Sequence, residues 1–180
     1  MTNQSALIII DMINDFIYGT LKCPHTKKII ANIKQTINWA HKNNISVIYV
    51  NDAHYENDIE FKIWKPHALI NSYGAQIINE LKPCENDLIF TKRNYNAFIN
   101  TNLDAYLKNN HFTKLYVCGV YTDICVKEFV CTGFQLGYEI SVLKDATATK
   151  NKLIHYKTLR LLNKYYNAKI IKTTKLINKK

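Results

Sequence analysis

Long hydrophobic runs are missing from this chain. The apolar stretch near its start, Ala6 to Ile10, stops at Asp11, far short of the roughly 20 residues a membrane-crossing helix requires. No cleavage-type segment follows it, so it does not read as a signal peptide. A cytoplasmic protein with no membrane partner is expected. Arginine is nearly absent too: of 24 Lys+Arg residues only Arg93 and Arg160 are arginines, and the lysines are scattered among Asn and Ile. A net charge of +10 would otherwise invite phosphate binding through counterion release. Dispersed charge lacks the footprint of a nucleic-acid binder, and no such partner is expected. There is no CxxC pair. Cys23, Cys84, Cys118, Cys125 and Cys131 are odd in number and irregularly spaced, which excludes a disulfide framework or a zinc ribbon and leaves free thiols. Repeats, low-complexity linkers and compositional boundaries are likewise lacking. One domain over residues 1–180 is expected, large enough to bury roughly 70% of the unfolded chain's surface.

What is present is an alternation of short β-rich runs with longer amphipathic segments, the signal for βαβ units. Strands are predicted at Ala6–Ile10, Ser46–Val50, Asp87–Thr91, Lys114–Gly119, Glu139–Leu143 and Ala168–Lys172. Helices are predicted at Lys27–Lys42, Tyr73–Leu81, Thr101–Asn109, Asp123–Leu136 and Asn151–Tyr165, with Asn151 as a cap and Gly137 as a stop. The fold class is α/β: three α/β/α layers around a six-stranded, mainly parallel sheet. Ligands of such sheets sit beyond the carboxyl ends of the strands. The polar residues there are Asp11, Asn51 to His54, Lys92 to Tyr95 and Gly119 to Cys125.

Asp11 ends a run of buried-type residues, where a carboxyl group would have a raised pKa suited to moving protons. Lys92 ends the third strand, where an ammonium could lower a thiol pKa. Cys125 follows Cys118-Gly119-Val120-Tyr121-Thr122-Asp123-Ile124, in the first turn of a helix whose unpaired amides favour a thiolate and offer oxyanion donors. Cys118 and Cys131 read as packing residues. In the second connection, Asp52, His54 and His67 could assemble a site for zinc, iron or manganese.

Asp11, Lys92 and Cys125, in this order and at these places, resemble the isochorismatase-like cysteine hydrolase superfamily over nearly the whole chain. Within it the Asp-x-His and later Pro-His resemble the metal site of nicotinamidases. The resemblance implies Cys125 as nucleophile, Asp11 as proton carrier and Lys92 as support for the charged pair. It also implies a cis peptide between Val120 and Tyr121 and an oxyanion hole from the Tyr121 and Cys125 N–H groups. Asp52, His54 and His67, with Glu60 seven residues before His67, would hold one divalent transition metal, zinc before iron or manganese. Phe16, Trp64 and Tyr95 would bind a flat ring. The implied activity is hydrolysis of nicotinamide to nicotinate and ammonia, as in NAD salvage, by a homo-oligomer. The alternatives are hydrolysis of another small amide or a lactam, or a non-catalytic binding or oligomerisation module of the same fold. Ala68 and Asn71-Ser72 depart from the nicotinamidase pattern and bear on pocket shape.

Overall fold

The run Ala6–Ile10 has to be buried on both faces, because alternate side chains of a strand point to opposite sides and all of these are apolar. The computed structural model, which describes residues 4–178, puts it at the centre of a sheet. Strands β1 (Gln4–Ile10), β2 (Ser46–Asp52), β3 (Leu88–Lys92), β4 (Phe112–Val120), β5 (Glu139–Ala148) and β6 (Lys169–Ile171) lie in the order β3-β2-β1-β4-β5-β6. Every pairing is parallel, so the mainly parallel sheet expected is wholly parallel.

Two cores follow from the alternation of side chains. Leu7, Ile9, Val47 and Tyr49 pack with Ile29, Ile33 and Ile37 of helix α2 (Thr26–Lys42) and with Leu176 of α6 (Thr173–Ile177). Ala6, Ile8, Ile10, Ile48 and Val50 face the other layer, with Leu103 and Leu107 of α3 (Leu103–Asn109), Val126 and Phe129 of α4 (Cys125–Gln135) and Leu159 and Leu162 of α5 (Lys152–Tyr166). A short helix α1 (Asn14–Ile17) follows β1. Because β2 lies on one side of β1 and β4 on the other, the strand order reverses between β1 and β4. That switch point opens the crevice in which doubly wound sheets bind ligands.

Several details differ from the sequence-based expectation, among them β5, which runs on to Ala148 past the expected end at Leu143, and the short helices α1 and α6, which were not expected. Tyr73–Leu81 is not a helix but two 3-10 turns, Tyr73–Ala75 and Asn79–Leu81. The backbone between them is claimed by the segment after β1: Asn14 N donates to Gln76 O and Ile78 N to Met12 O. Gly74 also fits tightly against Asp15, since a Cβ there would lie 2.0 Å from its Oδ2. Helix α4 starts at Cys125 instead of Asp123, and α3 at Leu103 instead of Thr101. Asn151 does cap α5, accepting from the N–H groups of Leu153 and Ile154.

Candidate active site

The carboxyl ends of β1, β2 and β3 and the start of α4 bring Asp11, Asp52, Lys92 and Cys125 into one buried cluster. Lys92 is the hub. Its Nζ lies 2.9 Å from Asp11 Oδ2, 2.5 Å from Asp52 Oδ1 and 3.6 Å from Cys125 Sγ. With only 2% of the residue exposed, an ammonium would be costly to hold without partners. Burial opposes its charge, yet Asp11 and Asp52 outweigh burial and hold its pKa well above the ordinary value. Asp11 is oriented from its other side by the Asp52 N–H, which donates to Oδ1 at 2.9 Å. Burial and the Asp52 charge push the Asp11 carboxyl up to about 6, against the pull of Lys92.

The nucleophile candidate behaves differently from expectation. A helix start and a neighbouring ammonium were expected to favour a thiolate. Burial instead pushes the Cys125 thiol well up, and Lys92 only partly offsets it. At neutral pH the proton therefore rests on sulfur, with an Asp11 carboxylate oxygen within 4.8 Å of it.

Upstream of Cys125 the chain turns sharply. Gly119 has φ of +115°, and a Cβ there would lie 2.0 Å from Ile10 O, so only glycine fits against β1. The Val120–Tyr121 peptide is cis, as the resemblance implied. The N–H groups of Ile124 and Val126 both donate to Tyr121 O, while those of Tyr121 and Cys125 have no main-chain acceptor among the described residues.

Asp52, His54, Glu60 and His67 form a second buried group, with one ligating atom of each within 4.8 Å of the others. Each histidine has its Nδ1 committed outside: His54 to Asp58 Oδ2 at 2.8 Å, His67 to Lys65 O at 2.8 Å. Nε2 of His54 then faces Asp52 Oδ2 at 3.6 Å and Glu60 Oε2 at 3.8 Å. His54 Nε2 and Glu60 Oε1 are buried without a hydrogen-bond partner, a costly state for polar groups. Burial and then the Asp52 charge push Glu60 up to about 7. Asp52 stays ionised, because Lys92 outweighs the burial that opposes its charge. A group short of positive charge, with converging N and O donors that lack partners, fits a borderline transition-metal ion.

Sequence reasoning missed the support of this group. Asp58 is held by the Arg93 guanidinium and by the Tyr55 N–H. Arg93 first, then a partial opposition from burial, sets its pKa down at about 2. Asp58 stands four residues after His54 and Arg93 next to Lys92, which was the available signal. Asp15 was missed too; its Oδ2 accepts from the Ala68 N–H at 2.7 Å and holds the chain beside His67.

Cys125 and Asp52 of the first group and Glu60 and His67 of the second line one cavity of about 190 Å³, together with Phe16, Trp64, Tyr95 and Tyr121. Trp64 Nε1 donates to Tyr95 OH at 2.7 Å. The Phe16 ring lies 5.3 Å from that of His67 and edge-on to Tyr121 at 5.7 Å. Lys150, not anticipated, hangs at the mouth with Nζ 5.3 Å above the Trp64 ring.

The chain is thus a doubly wound α/β protein with a buried thiol, carboxylate and ammonium at its switch point. It belongs to the isochorismatase family of hydrolases: residues 5–175 match the isochorismatase domain. A probable inactive nicotinamidase of Arabidopsis thaliana is 29% identical, over 84% of this chain and 84% of that protein. Among solved structures, the N-carbamoylsarcosine amidase of Thermoplasma acidophilum is 30% identical, with a TM-score of 0.89 over 94% of this chain and 96% of that one. The pyrazinamidase of Pyrococcus horikoshii, solved with zinc, is 28% identical, with a TM-score of 0.88 over 94% of this chain and 99% of that one. Among the described residues no helix is long and apolar enough to cross a membrane.

Proposed function

We propose that this chain is a metal-assisted cysteine amidohydrolase whose substrate is nicotinamide. The observation that carries the reading is the position of Lys92, whose Nζ touches Asp11, Asp52 and Cys125 at once. It couples a thiol and its base to a carboxylate of the metal-type group.

In the reaction, Cys125 Sγ attacks the amide carbonyl carbon as Asp11 takes the thiol proton, so no free thiolate is needed beforehand. The N–H groups of Tyr121 and Cys125 hold the oxyanion. Asp11 delivers its proton to the departing nitrogen, and ammonia leaves a thioester. Asp11 then takes a proton from water, whose oxygen attacks the thioester carbon. Release of nicotinate returns the proton to sulfur. Lys92 stays charged throughout and keeps Asp11 oriented. Asp52, His54, His67 and Glu60 would hold a divalent ion, zinc in the first instance, which supplies a Lewis-acidic position to fix the pyridine nitrogen. Phe16, Trp64 and Tyr95 offer ring faces and edges for a flat substrate.

Lys150 favours a second reading, a small amide carrying a carboxylate, because an ammonium at the mouth would attract it. The N-carbamoylsarcosine amidase similarity points the same way. The experiment is ammonia release from a panel of nicotinamide, pyrazinamide, benzamide, aliphatic amides and N-carbamoyl amino acids. Nicotinamide and pyrazinamide should lead, with benzamide poor. Preference for the carboxylated amides would establish the second reading, and no release from any of them would remove both.

A further inference from the structure

A second cluster of ligating side chains lies at the opposite end of the sheet from the cavity. Parallel pairing sets Asp52 beside Lys92 at the carboxyl ends of β2 and β3, so the amino ends of these strands are also neighbours. There His41, in the last turn of α2, meets the turn Cys84-Glu85-Asn86-Asp87 that leads into β3. His41 Nε2, Cys84 Sγ and an Asp87 carboxylate oxygen all lie within 4.8 Å of one another.

The turn is built to present its two side chains together. Asp87 N donates to Cys84 O at 3.0 Å, and Cys84 N donates to Asp87 Oδ2 at 2.9 Å. The second bond fixes the carboxylate, whose side chain is 3% exposed, and leaves Oδ1 directed at His41 Nε2, 2.7 Å away. Cys84 is an exposed free thiol, whereas Cys23, Cys118 and Cys125 are buried and Cys131 is half-buried. Tetrahedral zinc, with bonds of about 2.0 to 2.3 Å, sets neighbouring ligand atoms roughly 3.3 to 3.7 Å apart. His41 and Asp87 would part slightly and the thiol would close in, movements within reach of side chains at a surface turn.

We propose that His41, Cys84 and Asp87 form a zinc site separate from the cavity, with one imidazole, one thiolate and one carboxylate and a fourth position open to solvent. Its donor set is softer than that of the buried group, since a thiolate selects for zinc over magnesium or calcium. The thiol proton passes to solvent on binding. The ion would tie the end of α2 to the connection entering the edge strand β3, and its occupancy would stabilise the folded chain in proportion to free zinc.

The test uses cobalt(II) as a spectroscopic stand-in, because a thiolate ligand gives a sulfur-to-cobalt charge-transfer band that nitrogen and oxygen ligands do not. Titration of the reduced full chain should develop that band to about one equivalent per chain. Cys84→Ser should abolish it and His41→Ala should weaken it, with ammonia release unchanged in both. Cys125→Ala and His54→Ala should keep it, which separates this site from the one in the cavity. Zinc should also slow alkylation of Cys84, read by peptide mass, at least about 10-fold when the site is occupied. No band, a band surviving Cys84→Ser, or alkylation of Cys84 indifferent to zinc would overturn the proposal. None of these outcomes depends on nicotinamide being the substrate.

Discussion

At the scale of residues, charge is arranged around Asp11 so that one carboxyl group can both accept and release a proton near neutrality. Burial and Asp52 hold its pKa at about 6 and Lys92 restrains it from rising further. Since the base must be ionised to take the thiol proton, kcat/KM should fall as pH drops through an acid limb at about 6. Replacing the Asp52 charge by Asp52→Asn should move that limb downward in the fraction still active. A limb near the ordinary carboxyl value in the unaltered enzyme would remove Asp11 from the role of base. Asp58 acts through His54, whose Nδ1 it holds while Arg93 holds Asp58. Asp58→Asn should weaken metal affinity by about 10- to 100-fold, the usual cost of losing a carboxylate behind a ligating histidine. Metal content after dialysis against a weak chelator is the measurement, and unchanged retention would contradict it.

At the scale of elements, the site depends on how closely β4 approaches β1. Gly119→Ala would drive a Cβ into Ile10 O, whereas Gly137, also at positive φ, has nothing within 4 Å of a Cβ position. Gly119→Ala should cost about 3 kcal/mol or more, or distort the turn that presents Cys125, and Gly137→Ala only the backbone strain of about 1 to 2 kcal/mol. Denaturant unfolding of the two variants compares them directly; equal costs would show that the contact with β1 is not what requires glycine. The regular elements were legible because their periods were clear. Ala6–Ile10 is a continuous apolar strand and Ile29, Ile33 and Ile37 a helical face, and both stand where the sequence implies. Tyr73–Leu81 misled because its apolar spacing is compatible with a helix while its backbone is engaged by Met12 and Asn14, partners invisible in a local window. Cys125, Lys92 and Asp11 were each ordinary in isolation and became legible through their common place at strand ends. The Asp58–Arg93 support was signalled only by its spacing, four residues after His54 and one after Lys92, and that spacing alone does not tell a supporting pair from two solvated charges.

At the scale of the whole molecule, pH acts on stability through groups of opposite sign. His155 of α5 is buried, paired with Thr122 Oγ1 at 2.9 Å and Lys144 O at 3.2 Å, and burial lowers its pKa below the ordinary value. Between the ordinary value of about 6.5 and the lower folded value, the unfolded chain binds more protons. Stability from this group is thus complete above about 6.5 and is lost as pH falls toward the folded value. Asp11, raised on folding, runs the other way and favours the folded state as pH drops through about 6. His155→Gln, which can keep polar contacts without titrating, should therefore lose less stability than the unaltered chain between about pH 7.5 and about pH 5.5. Urea midpoints at the two pH values decide it, and an equal or greater loss in the variant would contradict the assignment.

The proposed chemistry stands or falls on Cys125 as the nucleophile of an amide hydrolysis organised by Asp11 and Lys92. Ammonia release from nicotinamide by the metal-loaded chain, set beside that of a folded, metal-loaded Cys125→Ala variant, tests it most directly. Release should be sustained in the first and at least about 10³-fold lower in the second, because the covalent step has no substitute nucleophile within reach. Release by Cys125→Ala at a rate comparable to the unaltered chain would contradict it.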